Sequence, residues 1–193
     1  IDTHVHYPQT DMIGAYGKQL LDWLNKYTYP AERKFEDKAH ARDVSNFFLN
    51  TLLRNGTTTA LVFATVHPNS VDAFFEEAER LDLRMIAGKV MMDRNAPVYL
   101  RDTAESSYTD SKRLIRKWHK KEGTRLRYAI SPRFAPTSSP AQLRMAGKLK
   151  REHPDVHVHT HLSENLDEIK WVAELFPESK GYLDVYDKHG LLS

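Results

Sequence analysis

The sequence predicts an α/β fold in which parallel strands alternate with helices, as in a (β/α)8 barrel. Five short apolar segments are each followed by a segment with helical periodicity. Strict alternation of this kind favours a parallel sheet with its helices packed outside it. The Gly-rich phosphate-binding fingerprint of a dinucleotide-binding sheet is missing after the first strand. These observations favour a barrel, while an open doubly wound sheet remains the alternative arrangement.

The predicted strands are short and mostly apolar. The second one is rich in Thr, Val, Leu and Phe, a composition typical of a strand that is buried on both faces. The five strands cover residues 1–6, 57–65, 84–92, 126–130 and 156–161. Between the first strand and the first long helix, residues 7–37 are predicted to form a long loop with a short helical patch at 20–24.

The predicted helices carry start and stop signals. Gly56 is expected at the C′ position of the first long helix, and Ser70 is expected to cap the second. Ser139, Pro140 and Gln142 fit the N-cap, N1 and N3 positions of another helix. The helices cover residues 38–54, 70–81, 103–121, a segment that begins at 139, residues 165–176 and a short segment at 181–188.

The extent of the chain predicts one incomplete domain. No Gly/Ser-rich linker or internal repeat interrupts the 193 residues, so we expect a single domain over 1–193. A complete (β/α)8 barrel has about 250 residues, and five strand–helix units correspond to about two-thirds of one. The first residue, Ile1, falls within a predicted strand, so we expect the sequence to begin inside a larger protein.

Composition excludes several functional classes. The formal net charge is +2, from 28 basic and 26 acidic side chains, so electrostatics give no reason to expect a nucleic-acid or membrane partner. No stretch is long and apolar enough to span a bilayer. Because no signal-peptide pattern opens the sequence, we expect a cytoplasmic protein. Cysteine is absent, which excludes disulfides and thiolate metal sites.

Histidines at two predicted strand ends indicate a metal site. His4 and His6 are two residues apart on a strand, so their side chains point to the same face. His161 lies at the end of the fifth predicted strand, and in a barrel the carboxyl ends of all strands meet at one mouth. Three neutral imidazoles with an open fourth position form a catalytic zinc arrangement. A His-x-His pair by itself is weak evidence for a metal.

Spacing alone does not select the third ligand, because His157, His159 and His161 share one strand face. His161 is expected nearest the barrel mouth, so we assign it as the ligand and expect the other two in the core or behind the ligands. Glu164 follows His161 by less than one helical turn and is placed to act as an acid/base residue. Its alternative role is that of a carboxylate at a helix start.

Five motifs distributed along the chain match the pattern of one enzyme family. They are HVHYPQ at 4–9, NGTTT at 55–59, GKVMMD at 88–93, SPRF at 131–134 and HTHLSEN at 159–165. His-x-His is shared by a whole superfamily, whereas Gln9, Pro-Arg-Phe and His-Leu-Ser-Glu-Asn are far more specific. Over nearly its whole length, the chain resembles the guanine deaminases of the amidohydrolase superfamily.

The resemblance implies roles for the residues of the predicted mouth. His4, His6 and His161 would bind one Zn²⁺, and Glu164 would move protons between water, the ring nitrogen and the departing amine. The strand at 127–131 lacks the lysine that bridges two metals in binuclear members, so a single ion is expected. The residues implied to contact guanine are His6, Gln9, Arg133, Phe134, His161 and Glu164.

The chemistry of three of these residues agrees with a purine ligand. The Arg133 guanidinium can donate to the carbonyl oxygen of guanine. The Gln9 amide both donates and accepts, and the Phe134 ring can stack on the base. The alternatives are an arginine in a surface ion pair and a phenylalanine in the core.

The resemblance also implies features that lie outside the 193 residues. The family has a further histidine on strand six, a catalytic aspartate on strand eight and a flanking β domain, and it is commonly homodimeric. We therefore expect the last three βα units and the β domain to be absent, and residues 1–193 alone to be inactive. Two other functions stay open, namely deamination of a different purine or a triazine, and metal binding by a non-catalytic barrel.

Overall fold

The computed structural model describes residues 1–17 and 19–192, so Lys18 and Ser193 lie outside the described residues. The described strands form one six-stranded sheet. They are β1 (Asp2–His6), β2 (Thr59–Phe63), β3 (Arg84–Gly88), β4 (Val90–Met91), β5 (Arg127–Pro132) and β6 (His157–Val158).

All pairings in the sheet are parallel and follow chain order. β1 pairs with β2, β2 with β3, and β5 with β6. β3 and β4 are two parts of one strand, since both pair with β5. A doubly wound sheet would reverse its strand order at a switch point. The uninterrupted order excludes that alternative for the described residues and confirms the prediction of an incomplete (β/α) barrel.

The helices follow the strands as predicted. They are α1 (Leu20–Trp23), α2 (Tyr29–Arg33), α3 (Lys38–Arg54), α4 (Pro68–Arg80), α5 (Ala104–Trp118), α6 (Pro140–Glu152), α7 (Leu166–Leu175) and α8 (Tyr182–Asp187). α3 has the predicted bounds because Asp37 caps its start, accepting a hydrogen bond from the N–H of Ala39, and Gly56 follows its end with φ of 81°. Among the described residues, no helix is long and apolar enough to cross a membrane.

The prediction of a long loop for residues 7–37 is wrong in part. A 3₁₀ helix covers Tyr7–Met12, and a π-helical turn at Leu24–Thr28 joins α1 to α2. Pro30 does not end this helical run, because it lies in the first turn of α2 and both Thr28 and Tyr29 before it are already helical.

The predicted start of α4 is also wrong. The helix begins at Pro68 with His67 at the N-cap, because proline at the first helical position has its φ already set for a helix. Ser70 lies inside the first turn, where its hydroxyl donates to the His67 carbonyl at 2.7 Å. The same hydroxyl accepts from the backbone N–H of Thr65, which ties the end of β2 to α4.

Three predicted strands are shorter than expected, and the second has strand geometry only at Thr59–Phe63. Lys89 interrupts the third, because its buried side chain turns toward Asp102 and the carbonyl of Val90. The fifth has regular strand geometry only at His157–Val158, but its backbone pairing continues. The N–H groups of His159 and His161 donate to the carbonyls of Ile130 and Arg133, respectively, so the chain stays alongside β5 up to His161.

Two apolar clusters stabilise the fold. The larger one packs the sheet against its helices and contains the fully buried rings of Phe74, Phe75 and Trp118. The smaller one lies at the carboxyl ends of the strands, where Phe63 and Phe134 pack with residues of the 20–29 segment. Leu24 and Phe134 of this second cluster also line the pocket at the predicted mouth of the barrel.

Gly88 is required by the close approach of β3 and β5. A Cβ atom at this position would lie 1.7 Å from the carbonyl oxygen of Ala129, which is backbone and cannot move aside. We expect Gly88→Ala to reduce the free energy of unfolding in urea by about 3 kcal/mol or more. Gly181→Ala is the control, because no atom lies within 4 Å of its added Cβ, and it should change stability by less than about 1 kcal/mol. Equal losses would contradict the steric explanation.

Candidate active site

Three histidine nitrogens converge on one point at the mouth of the sheet. The Nε2 atoms of His4 and His161 are 3.1 Å apart, those of His6 and His161 are 3.0 Å apart, and those of His4 and His6 are 3.3 Å apart. A tetrahedral zinc ion with Zn–N lengths of about 2.0–2.1 Å separates its ligand nitrogens by about 3.3 Å. The donor set and its spacing therefore fit one zinc ion.

Neighbouring groups orient these imidazoles. The Nδ1 atom of His161 is 2.7 Å from the carbonyl oxygen of Arg133, so Nδ1–H donates and leaves the Nε2 lone pair free. The Nδ1 atom of His4 is 3.0 Å from Nε2 of His159. With His159 as the acceptor, Nδ1–H of His4 donates and the Nε2 lone pair of His4 is left free in the same way. The ring of Phe63 stacks on that of His6, with centroids 4.6 Å apart and planes 10° apart.

The three histidines of the fifth strand occupy different depths. His157 is exposed on β6, and His159 is buried behind His4. The group of potential metal donors contains His161 together with His4 and His6, and neither of the other two. His159 thus lies behind a ligand as expected, whereas the expectation that His157 lies in the core or behind the ligands is wrong, because this side chain is exposed.

Electrostatics keep the converging histidines neutral. Burial, together with the nearby Arg133 cation, lowers the pKa of His161 to about 3. Burial also places the pKa of His6 well below its ordinary value. Burial lowers the pKa of His4, although the nearby Asp2 carboxylate opposes the shift. Because a metal binds only the neutral imidazole, the site is in its ligating form at pH 7.

Glu164 lies on a turn whose backbone is fixed by a buried carboxylate. Ser163 has φ of 57°, a left-handed conformation that is uncommon outside glycine. The N–H groups of Glu164 and Asn165 donate to Glu168 at 2.9 and 3.1 Å, and the hydroxyl of Tyr182 donates to the same carboxylate at 2.6 Å. Burial raises the pKa of the Glu164 carboxyl, Glu168 raises it further, and Arg133 opposes both.

A single pocket of about 220 Å³ brings all the predicted site residues together. Its other lining residues are Leu20, Trp23 and Leu24, so the helical patch near residue 20 covers one side of the mouth. The indole N–H of Trp23 donates to the carbonyl of Ala15 at 2.9 Å, which fixes the ring. The predicted residues that line the pocket are His4, His6, Gln9, Arg133, Phe134, His161 and Glu164.

Arg133 and Phe134, which are predicted to contact a purine, are both almost fully buried. Phe134 is 3 % exposed and packs in the apolar cluster at the strand ends while still lining the pocket. Arg133 donates from Nη1 to both carboxylate oxygens of Glu32 at 2.8 Å, and both side chains are buried. The ion pair is therefore internal, and not the surface pair that was the alternative.

Sequence reasoning missed two acidic residues near the site. Glu168 had a detectable signal, because Asn165 and Glu168 form a capping box at the start of α7. Glu32 had none, since it lies in a region predicted as loop and contacts Arg133 across 101 residues of sequence.

A model of the amidohydrolase family matches residues 1–193. The chain belongs to the amidohydrolase family. Membership in this family, together with the three converging imidazoles, favours a metal at the mouth of the barrel.

Several amidohydrolases are closely similar to this chain. Guanine deaminase of Escherichia coli is 66 % identical over 191 residues, which cover 99 % of this chain and 43 % of the relative. The crystal structure of guanine deaminase from Bradyrhizobium japonicum matches with a TM-score of 0.97 and 47 % identity, covering 100 % of this chain and 41 % of that one. The guanine deaminase of C. acetobutylicum, with bound guanine in its active site, matches with a TM-score of 0.95 and 38 % identity, covering 98 % and 45 %. The chain thus spans less than half the length of these relatives.

Loss of a converging imidazole should reduce metal affinity. Loss of a residue that only orients a metal ligand lowers affinity by about 10–100-fold. Because His161→Ala removes a ligand itself, we expect it to lower zinc affinity, measured by calorimetry, by more than that. His157→Ala is the matched control, since this exposed histidine lies on the same strand but outside the cluster, and its affinity should not change. A similar loss in both variants would show that the zinc binds elsewhere.

Loss of the buried Glu168 carboxylate should destabilise the protein. Glu168→Ala leaves two backbone N–H groups and the Tyr182 hydroxyl without their acceptor, so we expect a loss of about 2–4 kcal/mol in the free energy of unfolding. Glu174→Ala, at an exposed position of the same helix, should stay within about 0.5 kcal/mol of the parent. Urea denaturation measures both, and a neutral Glu168→Ala would contradict this account.

Proposed function

We propose that the protein carrying this chain is a zinc-dependent hydrolase that converts guanine and water to xanthine and ammonia. The observation that supports this most strongly is the convergence of three neutral imidazoles in one pocket with Glu164, Gln9 and Arg133. The names of the similar proteins, one of which holds guanine in its active site, support the choice of substrate.

The chain's own residues would divide the chemistry between holding the metal and moving protons. His4, His6 and His161 would hold zinc through their Nε2 atoms. When bound, zinc lowers the pKa of a coordinated water toward about 7 and so supplies a nucleophile at neutral pH. Glu164 would carry one proton of the attacking water to a ring nitrogen, and would then carry the second proton, released as the new carbonyl forms, to the amine, which leaves as ammonia. Its raised pKa suits a group that must both accept and donate a proton.

The remaining pocket residues would hold the base. Arg133 would donate to the carbonyl oxygen of guanine, and the Gln9 amide would pair with a mixed donor and acceptor edge. Phe134 would contact the base through the part of its ring that reaches the pocket. Trp23 and its leucine neighbours would limit the access of bulk water from one side.

Replacing Glu164 tests the proton-transfer role. We expect Glu164→Gln to lower kcat for ammonia release from guanine by about 10²–10⁴-fold in the full-length protein, because the amide cannot carry the proton. Zinc content should stay unchanged, since Glu164 is not among the converging donors. Glu178→Gln, at an exposed position, is the control.

The substrate assignment is tested with the same assay. The full-length protein should release ammonia from guanine faster than from adenine, cytosine or aminotriazines. If an aminotriazine or another purine were the preferred substrate, the protein would be a deaminase of that compound and not of guanine. Zinc binding without any ammonia release would identify a non-catalytic barrel.

We further propose that residues 1–193 do not suffice for turnover. The family pattern implies a catalytic aspartate and another histidine beyond these residues. Zinc-dependent ammonia release from residues 1–193 alone would contradict this proposal. A homodimer, a cytoplasmic location and the lack of nucleic-acid or membrane partners stay predictions.

A further inference from the structure

The ion pair between Arg133 and Glu32 lies at the wall of the candidate active site. Glu32 has no exposed surface, and it reaches Arg133 from α2. Arg133 directly follows β5. Buried ion pairs contribute little net stability because both charges lose their hydration, so stability alone is a poor explanation for this one.

The geometry of the pair leaves part of the guanidinium available. Both oxygens of Glu32 accept from the same nitrogen, Nη1 of Arg133, at 2.8 Å. A guanidinium that is used fully by a carboxylate donates from two nitrogens in a fork. Within the part of the chain that the structure describes, Nε and Nη2 of Arg133 have no hydrogen-bond acceptor, and Arg133 lines the pocket. These remaining N–H groups are therefore free for a ligand.

The surroundings hold the guanidinium as a cation in one orientation. Burial alone would lower the pKa of Arg133, but the Glu32 carboxylate raises it above its ordinary value. The ring of Tyr29, three residues before Glu32, lies 5.5 Å from the guanidinium carbon. The backbone carbonyl of Arg133 meanwhile accepts from His161. A shift of this residue would thus disturb both the ligand-binding wall and a converging imidazole.

We propose that Glu32 is a positioning residue that aims Arg133 at the carbonyl oxygen of a 6-oxopurine and so sets the preference for that class of base. This inference rests on the proposed function. It assigns the specificity to a carboxylate that does not itself touch the substrate.

Binding of unreactive purines tests the role of Glu32 without turnover. Hypoxanthine carries the carbonyl oxygen, whereas unsubstituted purine lacks it, and neither has an amino group to lose. In the full-length zinc-loaded protein, hypoxanthine should bind more tightly than purine. Glu32→Gln should weaken hypoxanthine binding by about 10–100-fold, the effect of one hydrogen bond to a charged group, and change purine binding by less than about threefold.

A second buried pair provides a matched control. Lys89 and Asp102 also form an internal ion pair, and neither residue lines the pocket. Asp102→Asn should lower the free energy of unfolding but leave the ratio of hypoxanthine to purine affinity unchanged. If Glu32→Gln behaves in the same way, or weakens both purines equally, Glu32 has only a structural role and the inference is wrong.

A double variant keeps the test decisive if Glu32→Gln folds poorly. Arg133→Met together with Glu32→Leu removes both buried charges and leaves neither unpaired. Its ratio of hypoxanthine to purine affinity should equal that of Arg133→Met with Glu32→Gln, which also leaves no unpaired charge, because Glu32 acts only through Arg133. A further change of the ratio would overturn the inference. Failure of the parent protein to bind either purine would instead reject the proposed function.

Discussion

Parallel pairing in chain order is the constraint on which the candidate site depends. Because every strand of the described sheet runs in the same direction, the carboxyl ends of β1 and β5 and the segment after β6 meet at one edge. This is how His4 and His161, 157 positions apart, bring their Nε2 atoms within 3.1 Å of each other. Antiparallel neighbours would place successive strand ends on opposite edges, and no such cluster would form.

The sequence predicts the parts of the structure that follow from periodicity and from local signals. α3 has the predicted bounds because both of its ends carry capping residues, Asp37 and Gly56. The converging histidines could be predicted because side chains alternate between the two faces of a strand with a fixed period of two. The start of α4 was misplaced since Ser70 satisfies the residue preference of an N-cap, while Pro68 determines where the helix begins.

Contacts between distant charged groups could not be predicted in this way. No sequence pattern pairs Glu32 with Arg133, or Lys89 with Asp102, because the partners meet only through the fold. The break in the third strand has the same origin. The burial of Lys89 depends on Asp102, and Asp102 also accepts from the N–H of Met92 and from Gln142. Apolar strand composition alone therefore predicts a continuous strand where the structure has a strand interrupted at Lys89.

The long sequence separation within the histidine cluster has a kinetic consequence. Contacts between residues far apart in sequence form late in folding, because the intervening chain must be ordered first. The described cluster draws its nitrogens from β1 and from the segment after the last described strand, β6. During synthesis, the N-terminal imidazoles must wait for more than 150 further residues to emerge before the third one arrives. The three nitrogens therefore come together only after the described strands have been synthesised, and not at the start of folding.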